Sequence, residues 1–148
     1  MKAIFQTEDS WSSLVLRLVL GLVIFAHGSQ KVLGWFGGYG FSGTMAFFTQ
    51  QMHIPAPLAL LVFIAEFFGS LGLIIGFLSR VAAFGIACDM IGAVLMVHLP
   101  NGFFMNWSGK NAGEGYEYFL LIIAICVALM ISGSGKCSVD RAIAQSAP

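Results

Sequence analysis

Four apolar stretches, at about 12–34, 57–78, 80–100 and 115–132, limit what this chain can fold into. A helix of about 20 apolar residues crosses the ~30 Å hydrocarbon core of a bilayer. By that measure all four stretches qualify, the last being the shortest. Hydrophobic residues make up 58% of the 148 and charged residues only 9%, whereas soluble domains are about 25% charged. So short a chain has too little interior to hide that much apolar surface from water. The expected fold is an all-α membrane protein, a four-transmembrane-helix bundle with a short amphipathic segment at about 41–52, after the first helix. One domain spanning 1–148 accounts for the length.

The breaks between stretches have local causes. Pro55 and Pro57 stop the amphipathic piece, and Pro57 suits a first helical turn because its missing N–H is not needed there. Only "LSR" at 78–80 separates the second stretch from the third, which forces an antiparallel helical hairpin. Pro100-Asn101-Gly102 ends the third, and Ser132-Gly133-Ser134-Gly135 ends the fourth.

Orientation follows the basic residues. Lys2, Arg80, Lys136 and Arg141 lie on one side, Lys31 and Lys110 on the other, and Arg17 sits inside the first stretch nearer the richer side. Both termini are therefore expected in the cytoplasm, with the protein multi-pass in a bacterial inner membrane. The N-terminal segment reads as a retained anchor rather than a cleaved signal. Zero net charge gives nucleic-acid binding no electrostatic footing. Cys88, Cys126 and Cys137 form no C-x-x-C pair, which disfavours a dithiol mechanism.

Polar groups inside the stretches are costly, about 2.5–3.5 kcal/mol for each mid-membrane charge, and so should face the bundle interior and find partners. At ~100° per residue Arg17, Gly21, Ile24, Gly28 and Lys31 share one face of the first helix, with His27 beside it. Glu66 shares a face with Gly69, Leu73 and Gly76, and Asp89 groups with Gly85, Gly92 and Met96. Counting depth at ~1.5 Å per residue predicts an outer-half cluster of His27, Lys31, Glu66, His98 and Glu117, and an Arg17–Asp89 pair nearer the cytoplasm. Arg17 and Asp89 read as a structural register lock. For the outer cluster a structural and a functional role stand level. His27 and His98 differ in depth by about 7 Å, which argues against a shared haem or metal, and none is assigned.

"GGYGFSG" at 37–43 spells G-x-G-x-x-G from Gly38. That fingerprint binds a dinucleotide only between a strand and a helix, and here a membrane helix precedes it. The glycines read instead as a turn or rim at the membrane surface, where Trp35, Phe36, Tyr39 and Phe41 favour the interface.

"RLVLGLVIFAHGSQKVLGWFGGYGFSGT" at 17–44, "AEFFGSLGLIIGFLSR" at 65–80, "GFFMNW" at 102–107, "EGYEYFLL" at 114–121 and "SVD" at 138–140 together resemble the DoxX family of small bacterial membrane proteins. The resemblance covers nearly the whole chain. It implies four membrane helices and an association with thiosulfate:quinone oxidoreductase or oxidative-stress complexes. It marks His27, Gln30, Lys31, Glu66, Asn106, Glu114 and Glu117 as motif positions.

Two functions follow as expectations. One is a membrane redox component binding a quinone-like molecule in an outer-half polar pocket, with Lys31 or His27 on a carbonyl and Glu66 and Glu117 handling protons. No cofactor motif is present, so electrons would come from a soluble or membrane oxidoreductase partner. The other is a non-catalytic anchor or assembly subunit. The bilayer is a partner in either case, and self-association stays open. A carrier is disfavoured by the lack of inverted repeats.

Overall fold

The computed structural model of the chain describes residues 2–146, and the side chain of Lys2, counted above for orientation, lies outside it. Among the described residues all regular structure is helical. After a short helical turn at Lys2–Phe5 come α1 (Trp11–Leu33), α2 (Gly40–Ala46, continued by a π-helical turn at Phe47–Gln51), α3 (Ala56–Ile75), α4 (Ser79–Asn101), α5 (Glu117–Ser132) and α6 (Val139–Ser146). Helices α1, α3 and α4, of 23, 20 and 23 residues, are long and apolar enough to cross a membrane. The 16 residues of α5 are as apolar but span only about 24 Å.

Each boundary has a residue that makes it. Ser10 caps α1 by accepting the Ser13 N–H, and Gly34, at φ +72°, ends it in the left-handed conformation that glycine adopts without strain. Pro57 lies in the first turn of α3. Gly76, also at φ +72°, closes α3, and the chain reverses into α4 within three residues. Leu78, which stands just before α4 at its N-cap position, offers no side-chain cap. That service comes from far along the chain, as described below.

Leu20 and Ile24 of α1, Leu73 of α3, Ala83, Ile86, Ala87 and Met90 of α4, and Ile122, Cys126 and Leu129 of α5 form one core. Small residues let the backbones approach. A methyl added at Gly28 would stand 2.8 Å from the Glu66 carbonyl, so α1 and α3 touch almost backbone to backbone there. Val19, Leu22, Leu61, Phe68, Phe84, Leu95, Leu121 and Ile131 face outward and exposed. Lipid is the medium that such a surface suits.

The two ends of the chain meet at one end of the bundle. Asp9 accepts from Arg141 and lies 3.5 Å from Lys136. The Arg141 hydrogen bond holds the Asp9 carboxyl below the usual carboxylate range. A depressed folded-state pKa contributes stability above the unfolded value, and that contribution disappears as pH falls through the folded one. Acidification below about pH 4 is therefore expected to lower hydrogen-exchange protection in α6, relative to the intrinsic rate at each pH. Asp9→Asn should show that lower protection already at pH 7 and no further loss of it with acid.

Candidate functional site

Arg17 does not pair with Asp89. Its guanidinium is 1% exposed and reaches only backbone carbonyls. Nε donates to Ser134 (2.8 Å), Nη1 to Leu73 (2.9 Å) and Ile74 (2.7 Å), and Nη2 to Lys136 (3.2 Å) and Cys137 (2.6 Å). Leu73 and Ile74 lie in the last turn of α3, where the Leu73 carbonyl also accepts the capping Gly76 N–H and the helix dipole favours a cation. The other three belong to the 134–137 loop, folded back under the bundle. Asp140 completes this arrangement. Its carboxylate accepts the Leu78 N–H (2.7 Å), the Ser79 N–H (3.1 Å) and the Ser134 hydroxyl. It is the missing N-cap of α4, delivered from 61 residues away. Sequence reasoning missed Asp140, whose one trace was its place in "SVD".

Asp89 turns toward the outer-half cluster instead. Ten residues into α4 it lies about 15 Å from that helix's start, near mid-membrane and level with Glu66. The Glu66 carboxyl, 4% exposed, accepts from Lys31 Nζ at 2.6 Å. Asp89 stands within hydrogen-bonding reach of Glu66 and in the field of Lys31, while its Oδ2 is enclosed with no hydrogen-bond partner. The α3 backbone widens into a π-helical turn at Ile64–Gly69 around Glu66, a distortion that often marks functional positions. Three helices thus converge on one group, Lys31–Glu66–Asp89, with Glu66 buried and the other two partly exposed. His27, exposed one turn below Lys31, makes no side-chain hydrogen bond among the described residues.

The remaining predicted residues gather elsewhere. His98 stacks on Phe119 (4.1 Å between centroids) and its Nδ1 lies 2.9 Å from the Glu114 carbonyl; since a carbonyl only accepts, Nδ1 is assigned the proton. Glu114 Oε2 accepts the Asn106 N–H (2.6 Å), and Glu117 Oε1 the Met105 N–H (2.8 Å). Asn106 and Asn111 exchange two further bonds. These groups fold the 102–116 loop against the start of α5. No hydrogen bond or ion pair among the described residues joins them to Lys31 and Glu66, so the expected single cluster is two.

A shallow, open cavity of about 490 Å³ lies beside this loop, lined by Phe103, Met105, Trp107, Glu117, Tyr118, Leu120 and Leu121. Its walls are apolar apart from Glu117, whose Oε2 makes no hydrogen bond among the described residues. The glycine-rich stretch lies apart from it. The Gln30 amide donates to the Phe36 carbonyl at 3.4 Å. A side chain at Gly38 would collide with the Gln30 backbone, so the glycines let the chain fold back onto the last turn of α1.

Comparison with known proteins agrees with the motif resemblance. The sequence profile of the DoxX family matches residues 12–99. The chain is 28% identical over 117 residues, 79% of this chain and 77% of the other, to the Bacillus subtilis (strain 168) protein named "Putative oxidoreductase CatD". It is 27% identical over 156 aligned positions, covering 97% of this chain and 88% of the other, to an uncharacterized membrane protein of Mycobacterium tuberculosis. No solved structure matches it.

Proposed function

The chain belongs to the DoxX family, and we propose that it is a multi-pass membrane component of a redox or oxidative-stress system that binds a quinone-like amphipathic molecule. In this reading α5 is the fourth span, the membrane is the bacterial inner membrane, and both termini face the cytoplasm. The observation that carries the ligand is the cavity beside α5. Its volume of about 490 Å³ falls within the ~300–1,000 Å³ of small-molecule sites. An apolar ring would lie against Phe103, Trp107 and Tyr118, and the tail would continue into lipid past Leu120 and Leu121. Glu117, held in place through Oε1, would keep Oε2 for a hydroxyl of the reduced ligand. Lys31, engaged by Glu66, is no longer the partner for a carbonyl. The name carried by the Bacillus subtilis relative supports a redox setting. Electrons would come from an associated oxidoreductase.

Calorimetric titration of the purified protein with a quinone analogue tests this. Trp107 is 86% exposed, so Trp107→Ala should leave the fold intact. It is expected to weaken binding roughly tenfold, the scale of one aromatic contact. Equal affinity in the two proteins, or no binding by either, would remove the ligand from this cavity.

One observation favours the anchor reading. Glu114, Asn106 and one oxygen of Glu117 hold loop backbone rather than opening into a pocket. A soluble oxidoreductase retained by the membrane-extracted protein, with Trp107→Ala retaining it equally and no ligand bound, is the result expected for an anchor.

A further inference from the structure

We propose that Lys31, Glu66 and Asp89 form a proton-binding site in the middle of the bundle, holding one exchangeable proton between the two carboxyl groups at neutral pH. The site does not depend on the Trp107 cavity or on any ligand there.

The argument is one of charge and donors. Lys31 Nζ sits 2.6 Å from Glu66 Oε2, a short ion pair between one cation and one carboxylate. Asp89 adds a second carboxyl within hydrogen-bonding reach of the first. Two ionised carboxylates have no donor to place between them, and like charges this close in a poorly solvated interior do not both persist. A proton on one makes it the donor to the other. With that proton the group is neutral. Without it the group carries one net negative charge, enclosed by three helices. Asp89 Oδ2, buried and accepting nothing, is the oxygen that such a proton would occupy without displacing an existing bond.

Other groups do not supply the balance. From α1 the facing titratable side chain is Lys31, since His27, one turn below it, is exposed. From α3 the group is Glu66, and from α4 Asp89, since the neighbouring Cys88 is exposed. Tyr118 and Cys126 are the titratable groups of the core-facing side of α5, yet the charges acting on Asp89 are those of Glu66 and Lys31. Segment α2 carries none.

The site also has a wet side. The Lys31 side chain is 24% exposed while that of Glu66 is 6% exposed, so the group opens toward the end of the bundle where α1 finishes. A proton would leave by exchange at Lys31 Nζ, which releases one of its own protons to water as it takes up that of the Glu66 carboxyl, and the reverse exchange would return it. The π-helical turn at Ile64–Gly69 holds Glu66 at this junction.

Infrared spectroscopy of the full chain in lipid nanodiscs reads the proton directly. At pH 7 the wild type is expected to show the carbonyl stretch of one protonated carboxyl, and the band should shift in deuterated water. Asp89→Asn and Glu66→Gln should each lose it, because one carboxylate then faces one lysine. Lys31→Met should instead enlarge it about twofold, since both carboxyls become protonated. A wild type without the band at pH 7 overturns the proposal even if no variant folds. A band unchanged in both carboxyl variants, or one that never shifts in deuterated water, overturns it too.

Discussion

Arg17→Leu is expected to destabilise the folded protein by about 3–5 kcal/mol, the range for removing one member of a buried polar assembly. Leucine is apolar and close in volume, so the loss is chiefly one of hydrogen bonds. Five carbonyls, from Leu73, Ile74, Ser134, Lys136 and Cys137, lose the guanidinium together, and among the described residues only that of Leu73 keeps a backbone donor, the Gly76 N–H. Two of them end a helix, and three hold the loop that carries Asp140. The effect should therefore appear in two places. Thermal unfolding in detergent should fall steeply, and residues 133–146 should become cleavable by protease below the melting temperature. Arg17→Lys should recover only part of the loss. An ammonium offers three donors from a single point, whereas the guanidinium spreads five across a plane. A leucine variant that melts and resists protease like the wild type would show that the carbonyl cage contributes little.

The second large effect is expected from Gly28→Ala. The new methyl would stand 2.8 Å from the Glu66 carbonyl carbon and oxygen and from the Phe67 Cα. All three are backbone atoms, which cannot rotate away, so α1 and α3 must separate. Overpacking of this kind costs typically 1–3 kcal/mol. It should also pull Lys31 from Glu66, three residues further along the same helix. Gly92→Ala is the matched control, because a methyl there meets nothing within 4 Å. Replacing that glycine should be neutral or stabilise by up to about 1 kcal/mol through helix propensity. Two alanine variants of the same chemistry should thus move the melting temperature in different directions. Equal shifts would mean that the contact at Gly28 yields.

The long spans were legible because lipid imposes a length on apolar runs and because Gly34, Pro57 and Gly76 punctuate them. The interior position of the charges was legible from helical phase. Their pairing was not. Arg17 looked for a carboxylate because only carboxylates are written in the sequence as acceptors. Its real partners are carbonyls, which every residue carries and which become special only at a helix end or in a folded-back loop. Asp89 was misplaced because counting residues from the inner end left it only a few ångströms short of the middle. The turn of α4 then brought it to Glu66. His98, Glu114 and Glu117 were grouped with Lys31 by depth alone. Depth says nothing about position around the bundle, and their bonds run to the loop backbone.

The distant cap on α4 bears on how the protein is made. The α3–α4 hairpin is synthesised with its turn incomplete, since the Leu78 and Ser79 amides wait for a carboxylate at 140. Arg17 waits longer still, for carbonyls 117–120 residues downstream. Every other helix must therefore leave the ribosome before one end of the bundle can close. Until then a buried arginine and a helix start stand open at the membrane surface, so the segment at 134–140 is the one that seals α1 and the start of α4.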